Sequence, residues 1–447
     1  MSESRILHRK IGPRPPVAVS GDGVILRDIT GKEYIDASGG AAVSSLGHRH
    51  PDVLAAMRDQ LDRLEYAHTA FFTTEVAEAL AGDLVTHAPD GLDRVYLVSG
   101  GSEAMETALK LARQYFVETG EPGRTQFVAR LQGYHGNTLG ALSVSGNQLR
   151  RGPFEPILFK AHHIEPCFSY RYKRHDETDE EYGRRAADAL ERKLLEIGPE
   201  TVIGFIAETV VGATAGAVTA APGYFTRIRE ICDRYGILLI LDEVMSGMGR
   251  TGTLHACEQE AISPDLLTLA KGLGGGYQPV GAVLFSERIF DGIARGSATF
   301  LHGLSYIGHP VACAAALAVQ TVIRRDALLA NVRCKGKRLQ SALEERLGNH
   351  PHVGDVRGRG LFRAIELVAD RATKAPFPAR ETVASRVHRC AMDRGLCVYP
   401  GAGTADGRIG DHILIAPPFI VDGTTIDDIV EKLSAAVDAA VGDASFN

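Results

Sequence analysis

Lys271 is a candidate nucleophile, because apolar residues and glycines surround it in the 447-residue sequence. It follows the apolar stretch 267–270 and precedes the glycine-rich stretch 272–276. A lysine that burial strips of water has a lowered pKa, and its neutral amine can attack a carbonyl carbon. Most lysines instead lie at the surface, so a solvated lysine that opens a flexible loop is the alternative.

Two carboxylates, Asp242 and Glu243, follow the apolar run at residues 238–241. An α/β protein places its catalytic groups at the carboxyl ends of strands. The alternative for Asp242 is a side chain that caps the next turn, and taken alone this alternative is the stronger.

Gly100, Gly101 and Ser102 lie between an apolar run at residues 94–98 and a helical pattern. Glycines let backbone N–H groups approach an anion, Ser102 can donate its hydroxyl, and the helix dipole favours a phosphate. An ordinary strand–turn–helix junction with a serine cap is the alternative, and a glycine-rich turn alone is weak evidence.

Tyr134 and His135 stand between the glycines of the segment 133–136. An aromatic ring here could lie against a planar cofactor, and plain packing is the alternative. Together, a phosphate cradle, a carboxylate, a Schiff-base lysine and an aromatic platform are what pyridoxal 5′-phosphate (PLP) requires. The carboxylate keeps the pyridine nitrogen protonated, so that the ring can absorb the electrons of a carbanion. The four motifs therefore predict one PLP site.

The elements that must position these groups alternate between strand and helix patterns from about residue 94 to 290. Apolar strands separated by helices predict an α/β fold, with a mostly parallel sheet covered on both faces. Ligands of such sheets bind beyond the carboxyl ends of the strands. The predicted strands are 94–98, 126–129, 202–207, 238–241 and 280–285, and the predicted helices include 102–116 and 223–234.

Shorter patterns flank this region and predict a second, smaller domain. This region is preceded by predicted strands at 24–26 and 34–35 and by predicted helices at 51–64 and 74–86. It is followed by one or two helices at 309–348, strands at 360–367, 397–399 and 412–415, and a helix at 425–441. We predict an N-terminal segment 1–65 that joins the small domain, a large domain 66–330 and a C-terminal small α+β domain 331–447.

Composition and charge limit the classes of partner that we expect for this protein. The net charge is −6, which gives no indication of nucleic acid or an anionic membrane as a partner. The basic residues 171–175 are diluted by the acidic run 176–181, and we expect a solvated loop there. No apolar run is long enough to cross a bilayer and residues 1–16 lack a secretory signal, so we expect a cytoplasmic protein. Seven cysteines without CxxC or zinc spacing predict free thiols and no metal site.

The sequence resembles the class III, or omega, aminotransferases of fold type I over nearly the whole chain. The matching segments, in the family's order, are residues 31–51, 99–113, 133–136, 237–252, 270–283 and 302–318. An ordered set of motifs is far more specific than a single motif. The resemblance implies a seven-stranded, mostly parallel sheet in the large domain.

The resemblance also implies how the cofactor is held. Lys271 would form the Schiff base and then shuttle a proton between the substrate and the cofactor. Asp242 would pair with the pyridinium nitrogen. Tyr134 would stack on one face of the ring, next to His135, and Val244 would pack on the other.

Further implied roles concern the phosphate, the substrate and the assembly. Gly101 and Ser102 would bind the phosphate, and Glu208 would lie near the substrate. Ser305 would reach the phosphate of a neighbouring subunit, which implies a homodimer with shared active sites. Such dimers can pair further into tetramers.

The chain departs from the family's pattern on the substrate side. Met245 stands where many members have a glutamine that donates to the cofactor's phenolic oxygen, and a thioether cannot donate. Many members also carry an arginine, shortly before the segment that is 410–412 here, which binds the acceptor's carboxylate. The aligned position holds a glycine, and its neighbour Arg408 is our candidate. Arg250 and Arg359 are the alternatives, although a structural ion pair is the commoner role for either.

Transamination is the leading prediction: an amine, an omega-amino acid or an alpha-amino acid gives its nitrogen to pyruvate or 2-oxoglutarate. The alternative is a PLP-dependent lyase, racemase or aminomutase on the same fold, because the cofactor makes the same carbanion in each. A non-catalytic relative is disfavoured, since Lys271 is present.

Overall fold

The computed structural model describes residues 4–9, 11–12 and 14–442. Its strands are β1 (Ala18–Asp22), β2 (Ile25–Asp28), β3 (Glu33–Asp36), β4 (Arg94–Val98), β5 (Gln126–Arg130), β6 (His162–Ile164), β7 (Val202–Glu208), β8 (Val210–Val211), β9 (Val218–Thr219), β10 (Leu238–Asp242), β11 (Leu266–Leu269), β12 (Gly281–Phe285), β13 (Val353–Arg359), β14 (Phe362–Leu367), β15 (Leu396–Cys397), β16 (Tyr399–Ala402) and β17 (Asp411–Ile415). Its helices are α1 (Gly39–Ala42), α2 (Pro51–Arg63), α3 (Glu75–Thr86), α4 (Gly101–Glu118), α5 (Leu139–Val144), α6 (Gln148–Arg151), α7 (Ser169–Tyr172), α8 (Asp179–Ile197), α9 (Tyr224–Tyr235), α10 (Glu287–Arg295), α11 (Pro310–Arg325), α12 (Leu328–Leu347), α13 (Val383–Asp393) and α14 (Gly423–Gly442).

A seven-stranded sheet forms the centre of the fold and confirms the predicted α/β class. Its strand order is β4-β12-β11-β10-β7-β5-β6. The five strands from β11 to β6 pair in parallel, whereas β12 runs antiparallel to both β11 and β4. The sheet is therefore mostly parallel, with one reversed strand.

Strand β10 shows why the strands are apolar along their whole length. Leu238 and Ile240 belong to the apolar cluster that includes α4 and α10, and Leu239 and Leu241 belong to the cluster that includes α8 and α9. Successive side chains of a strand point to opposite faces. Both faces of the sheet are covered, so neither set of positions can be polar.

The acidic run 176–181 differs from the expected solvated loop, because helix α8 begins within it. Thr178 caps this helix: its Oγ1 accepts a hydrogen bond from Glu181 N at 3.2 Å, and Glu181 Oε2 accepts one from Thr178 N at 2.8 Å. Acidic side chains in the first turn also complement the helix dipole. Residues 179–181 are exposed, as expected, but they form the first turn of a helix instead of a loop.

The N-terminal strands pack with C-terminal elements. Strand β3 pairs in parallel with β15, with Ile35 opposite Leu396. Ile35 and Val53 share one apolar core with residues of β14, β17 and α14. The exact division into 1–65, 66–330 and 331–447 stays a prediction.

Arg250 joins three distant parts of the chain. Its guanidinium donates to the carbonyl oxygens of Ser44 at 2.9 Å, Leu361 at 3.3 Å and Pro417 at 2.5 Å. It also lies over the ring of Phe419. Arg250 is 1% exposed, and burial lowers its pKa to about 9. Its donors serve the fold, so Arg250 is not free to bind a substrate carboxylate.

Candidate active site

The carboxyl ends of three neighbouring strands meet at one edge of the sheet. Asp242, the last residue of β10, lies opposite Glu208 of β7 and Thr268 of β11 in the strand register. A cavity of about 410 Å³ lies at this edge. The residues predicted for the site that line it are Gly101, Ser102, Tyr134, His135, Glu208, Asp242, Val244 and Lys271. The sheet thus gathers side chains that are far apart in the sequence.

Lys271 begins a short 3-10 turn directly after β11 and lines the cavity. Its φ of 44° lies in the left-handed region, which non-glycine residues seldom adopt and which is common at functional sites. Burial lowers the pKa of its amine to about 8, against the opposing charges of Asp242 and Glu208. Lys271 is therefore partly neutral near neutral pH, as an amine that attacks a carbonyl must be.

A carboxylate with two fixed partners faces this lysine. Asp242 Oδ1 accepts a hydrogen bond from Val244 N at 2.9 Å, and Oδ2 lies 2.9 Å from His135 Nδ1. His135 is itself held, since its backbone N–H donates to Ser145 Oγ at 2.8 Å. Asp242 is 4% exposed, so solvent does not screen its charge strongly.

The glycines at the start of α4 allow close packing around the predicted phosphate cradle. A Cβ on Gly101 would lie 2.8 Å from Val244 Cγ1, and a Cβ on Gly136 would lie 2.8 Å from Ser102 Oγ. Ser102 Oγ accepts a hydrogen bond from Asn137 N at 2.9 Å, which leaves its hydroxyl hydrogen for an acceptor in the cavity. A helix N-terminus with exposed N–H groups and a hydroxyl suits a phosphate.

Glu208 anchors the aromatic turn. Its Oε2 accepts a hydrogen bond from Tyr134 N at 3.0 Å, and its Oε1 accepts one from Gly212 N at 2.9 Å. Burial raises the pKa of its carboxyl. Glu208 therefore fixes the backbone beside the Tyr134 ring while its carboxyl still lines the cavity.

Two predicted residues lie outside the cavity lining. Ser305 is exposed, and its carbonyl accepts a hydrogen bond from Tyr66 Oη at 2.8 Å. Arg408 is exposed, on a loop in which Asp406 Oδ1 accepts from the Arg408 N–H at 2.8 Å. The roles assigned to Ser305 and Arg408 stay predictions.

Sequence reasoning missed one charged group beside the cavity. The guanidinium of Arg150 lies over the ring of Tyr134, with Cζ 4.4 Å from the ring centroid. Arg150 comes from the short helix α6, which no periodic pattern indicates. Only the pair of arginines at 150 and 151 could have drawn attention to it. By contrast Arg359, one of the alternatives for carboxylate binding, forms an ion pair with Glu260 at 2.5 Å.

The lowered pKa of Lys271 has a measurable consequence for cofactor loading. Lys271 is the residue predicted to bind PLP, and only the neutral amine attacks an aldehyde. If it does bind PLP, the rate at which the cofactor-free protein takes up PLP should rise with pH and level off above about pH 8. Stopped-flow absorbance across a pH series measures it. A rate that keeps rising toward pH 10.5, the ordinary lysine value, would contradict the burial of this amine.

The residues at this edge fit PLP on their own chemistry. A lysine with a lowered pKa, a buried carboxylate, a tyrosine and a glycine-lined helix N-terminus border one cavity. Its volume of about 410 Å³ is within the range of small-molecule sites. With the seven-stranded, mostly parallel sheet, these features are those of a PLP-dependent enzyme of fold type I.

Comparison with known proteins identifies the family. Residues 8–437 match the model of the family described as aminotransferase class-III. A curated aminotransferase of Schizosaccharomyces pombe is 48% identical over 96% of this chain and 94% of its own length. The adenosylmethionine-8-amino-7-oxononanoate aminotransferase of Geobacter sulfurreducens is 36% identical over 96% of this chain and 93% of its own length. An amine transaminase from an uncultivated Pseudomonas species, solved in its PLP-bound form, superposes with a TM-score of 0.92 at 35% identity, covering 98% of this chain and 99% of that one.

The chain therefore belongs to the class III aminotransferases, a PLP-dependent family, and it is an aminotransferase. This result favours transamination over the lyase, racemase or aminomutase alternatives. Small-molecule amino and keto compounds are its substrates. Among the described helices, none combines the length and apolar character needed to cross a membrane.

Proposed function

We propose that this aminotransferase binds PLP in the cavity beyond β7, β10 and β11, and transfers nitrogen from an amine, an omega-amino acid or an alpha-amino acid to pyruvate or 2-oxoglutarate. The observation that supports it best is the placement of Lys271 and Asp242 on one cavity of about 410 Å³. A single lysine side-chain amine beside a carboxylate that can pair with the pyridine nitrogen is the minimum that this chemistry needs.

Each side chain has a task that follows from its position. Lys271 Nζ would hold the cofactor at its aldehyde carbon, and the same amine, once free, would move the proton at the substrate's Cα. Asp242 would keep a proton on the pyridine nitrogen, and its contacts with Val244 N and His135 Nδ1 hold the carboxylate in orientation. When bound, PLP supplies an electron sink for the carbanion at Cα.

The remaining residues orient and shield the site. The start of α4 and the Ser102 hydroxyl bind the phosphate group. Tyr134 and Val244 both line the cavity, where they would cover the two faces of the ring and exclude water from the reacting carbon. Glu208 holds the Tyr134 backbone in place.

The test is the absorbance of the purified yellow protein before and after a panel of amines and amino acids is added without acceptor. For an aminotransferase, the responsive donor bleaches the yellow band, and a keto acid restores it. A band that persists while product forms would instead indicate a lyase, a racemase or a mutase. A protein that binds no PLP would overturn the proposed function.

We also propose a homodimer in which Ser305 completes the partner's phosphate site. Ser305 lies outside the cavity of its own chain, on a surface with large exposed apolar side chains. Leu301 is 72% exposed, Tyr306 is 64% exposed, and Phe71 and Phe72 are 78% and 67% exposed. Apolar groups exposed to this extent are typical of a protein–protein interface.

Mixing two inactive variants tests this shared site. Lys271→Ala lacks the amine, and Ser305→Asp sets a negative charge against the phosphate. In a hybrid dimer one site has both native residues, so random mixing should restore roughly a quarter of the wild-type activity. Activity after denaturation and joint refolding measures it, with each variant refolded alone as the control. No recovery in mixtures that contain hybrid dimers would contradict the role of Ser305.

A further inference from the structure

Arg150 is a cation without a carboxylate partner beside the cavity. Its Cζ lies 4.4 Å from the centroid of the Tyr134 ring, and Tyr134 lines the cavity. Its charge also acts on Lys271, because Arg150 is among the groups that lower the pKa of that amine. Within the described part of the chain no Asp or Glu pairs with Arg150, whereas its neighbour Arg151 pairs with Glu155. A half-buried guanidinium normally has such a partner.

The backbone that carries Arg150 is fixed, whereas its side chain lies on the Tyr134 ring and pairs with no carboxylate among the described residues. The Arg150 N–H donates to Asn147 Oδ1 at 3.2 Å, which caps helix α6. Arg151 donates to three backbone carbonyls of the preceding segment. Leu149 N donates to the carbonyl of Gly407 at 3.1 Å. Arg151 therefore stabilises the segment, whereas the guanidinium of Arg150 lies on the Tyr134 ring beside the cavity.

The cavity itself explains why a ligand would need this cation. Glu208 and Asp242 both line it, and both are buried carboxylates. A substrate that carries a carboxylate meets like charges there, which disfavours its binding unless a cation compensates. Arg250 is used by the fold and Arg359 by Glu260.

We propose that Arg150 is a specificity-determining residue, which binds the carboxylate of amino-acid donors and keto-acid acceptors. This inference rests on the proposed function, since it assigns the substrate class of the same site. A guanidinium binds a carboxylate through two parallel N–H···O bonds, and the long side chain of Arg150 can turn from the Tyr134 ring to do so. Neutral amines lack the carboxylate and need no such contact.

The test compares two donors that differ only in the carboxylate, pentylamine and 5-aminopentanoate. The variants are Arg150→Gln and Arg150→Lys, with Arg408→Gln as the competing candidate. Arg346→Gln, an exposed position on α12, is the matched control. The yellow holoenzyme is mixed with each donor in single turnovers, and the bleaching of its absorbance gives the rate at each donor concentration. Pyruvate is then mixed with the bleached enzyme, and the return of the yellow absorbance gives the rate with the keto-acid acceptor.

Arg150→Gln should lower the efficiency with 5-aminopentanoate and with pyruvate by about 10-fold to 100-fold, the usual loss for a charge-assisted bidentate contact. Its reaction with pentylamine should stay near that of the wild type, and Arg150→Lys should recover part of the loss. Pentanoate should inhibit the pentylamine reaction of the wild type and inhibit Arg150→Gln much more weakly.

Three results would overturn the inference. Equal losses with both donors would mean that Arg150 acts through Tyr134 or Lys271. Unchanged efficiency with every substrate would mean that it has no role, and a selective loss in Arg408→Gln instead would assign the carboxylate to Arg408. If Arg150→Gln does not fold, the donor preference of Arg150→Lys and the inhibition of the wild type and of Arg150→Lys by pentanoate still test whether Arg150 binds the carboxylate. A wild type that reacts with no amino compound would refute the proposed function itself, which is a separate outcome.

Discussion

Lys271→Ala should lower the turnover rate by at least about 10⁴-fold, because it removes both the attachment point of the cofactor and the group that moves the proton. The fold should persist, since Nζ faces the cavity and makes no ion pair there in the described structure. Steady-state kinetics and circular dichroism measure the two effects. Borohydride reduction of the wild type, followed by peptide mass mapping, should find the cofactor mass on Lys271.

The control for Lys271→Ala is Lys335→Ala on helix α12, which should keep full activity. A small added amine should restore part of the proton transfer in Lys271→Ala, because it can enter the space that the side chain leaves. Multiple turnovers by Lys271→Ala with the amino donor and acceptor alone, without the small added amine, would contradict the assignment of Lys271.

Asp242→Asn should lower the rate of the half-reaction by about 10²-fold to 10³-fold, as the loss of one preorganised charge at a reacting centre generally does. An amide cannot hold the proton on the pyridine nitrogen, and it also leaves His135 without its carboxylate partner. Removing the charge should further lower the pKa of Lys271, because Asp242 is among the groups that raise it. Single-turnover absorbance at several pH values measures both effects.

Glu243→Gln is a matched control for Asp242→Asn. Glu243 is the next residue, is also buried, and accepts hydrogen bonds from Ala256 N and Cys257 N at 2.7 Å each. It does not line the cavity, so its loss should lower the thermal stability while the half-reaction stays near that of the wild type. Equal rates for Asp242→Asn and the wild type would refute the role of Asp242.

The parts of the fold that the sequence predicts are those with strong hydrophobic periodicity. Strand β4 and residues 238–241 of β10 lie where their apolar runs predict them. The long helical pattern after residue 309 forms two helices, α11 and α12. Lys271 and Asp242 could be found because each lies at or just beyond the carboxyl end of a buried strand, at the ligand-binding edge of a parallel sheet. The two residues lie close together because β10 and β11 are neighbours in the sheet.

The elements that escaped prediction lack that signal. Strand β6 has only three residues, of which two are histidines, and α8 begins in a charged segment that looks solvated. Arg150 could not be assigned a place, because its position depends on the tertiary contact between α6 and the Tyr134 turn. The role of Ser305 depends on a second subunit, which one chain's sequence does not describe.

The three carbonyl contacts of Arg250 have a consequence for folding during synthesis. Its guanidinium bonds to Ser44, 206 residues earlier in the chain, and to Pro417, 167 residues later. Until Pro417 has been synthesised and has left the ribosome, Arg250 cannot be buried with all three of its carbonyl hydrogen bonds. Contacts of such long range slow folding and leave apolar strands exposed in the nascent chain. We therefore expect the finished active site to form only after synthesis ends, so that C-terminal truncation before Pro417 should give an insoluble product rather than a smaller working enzyme.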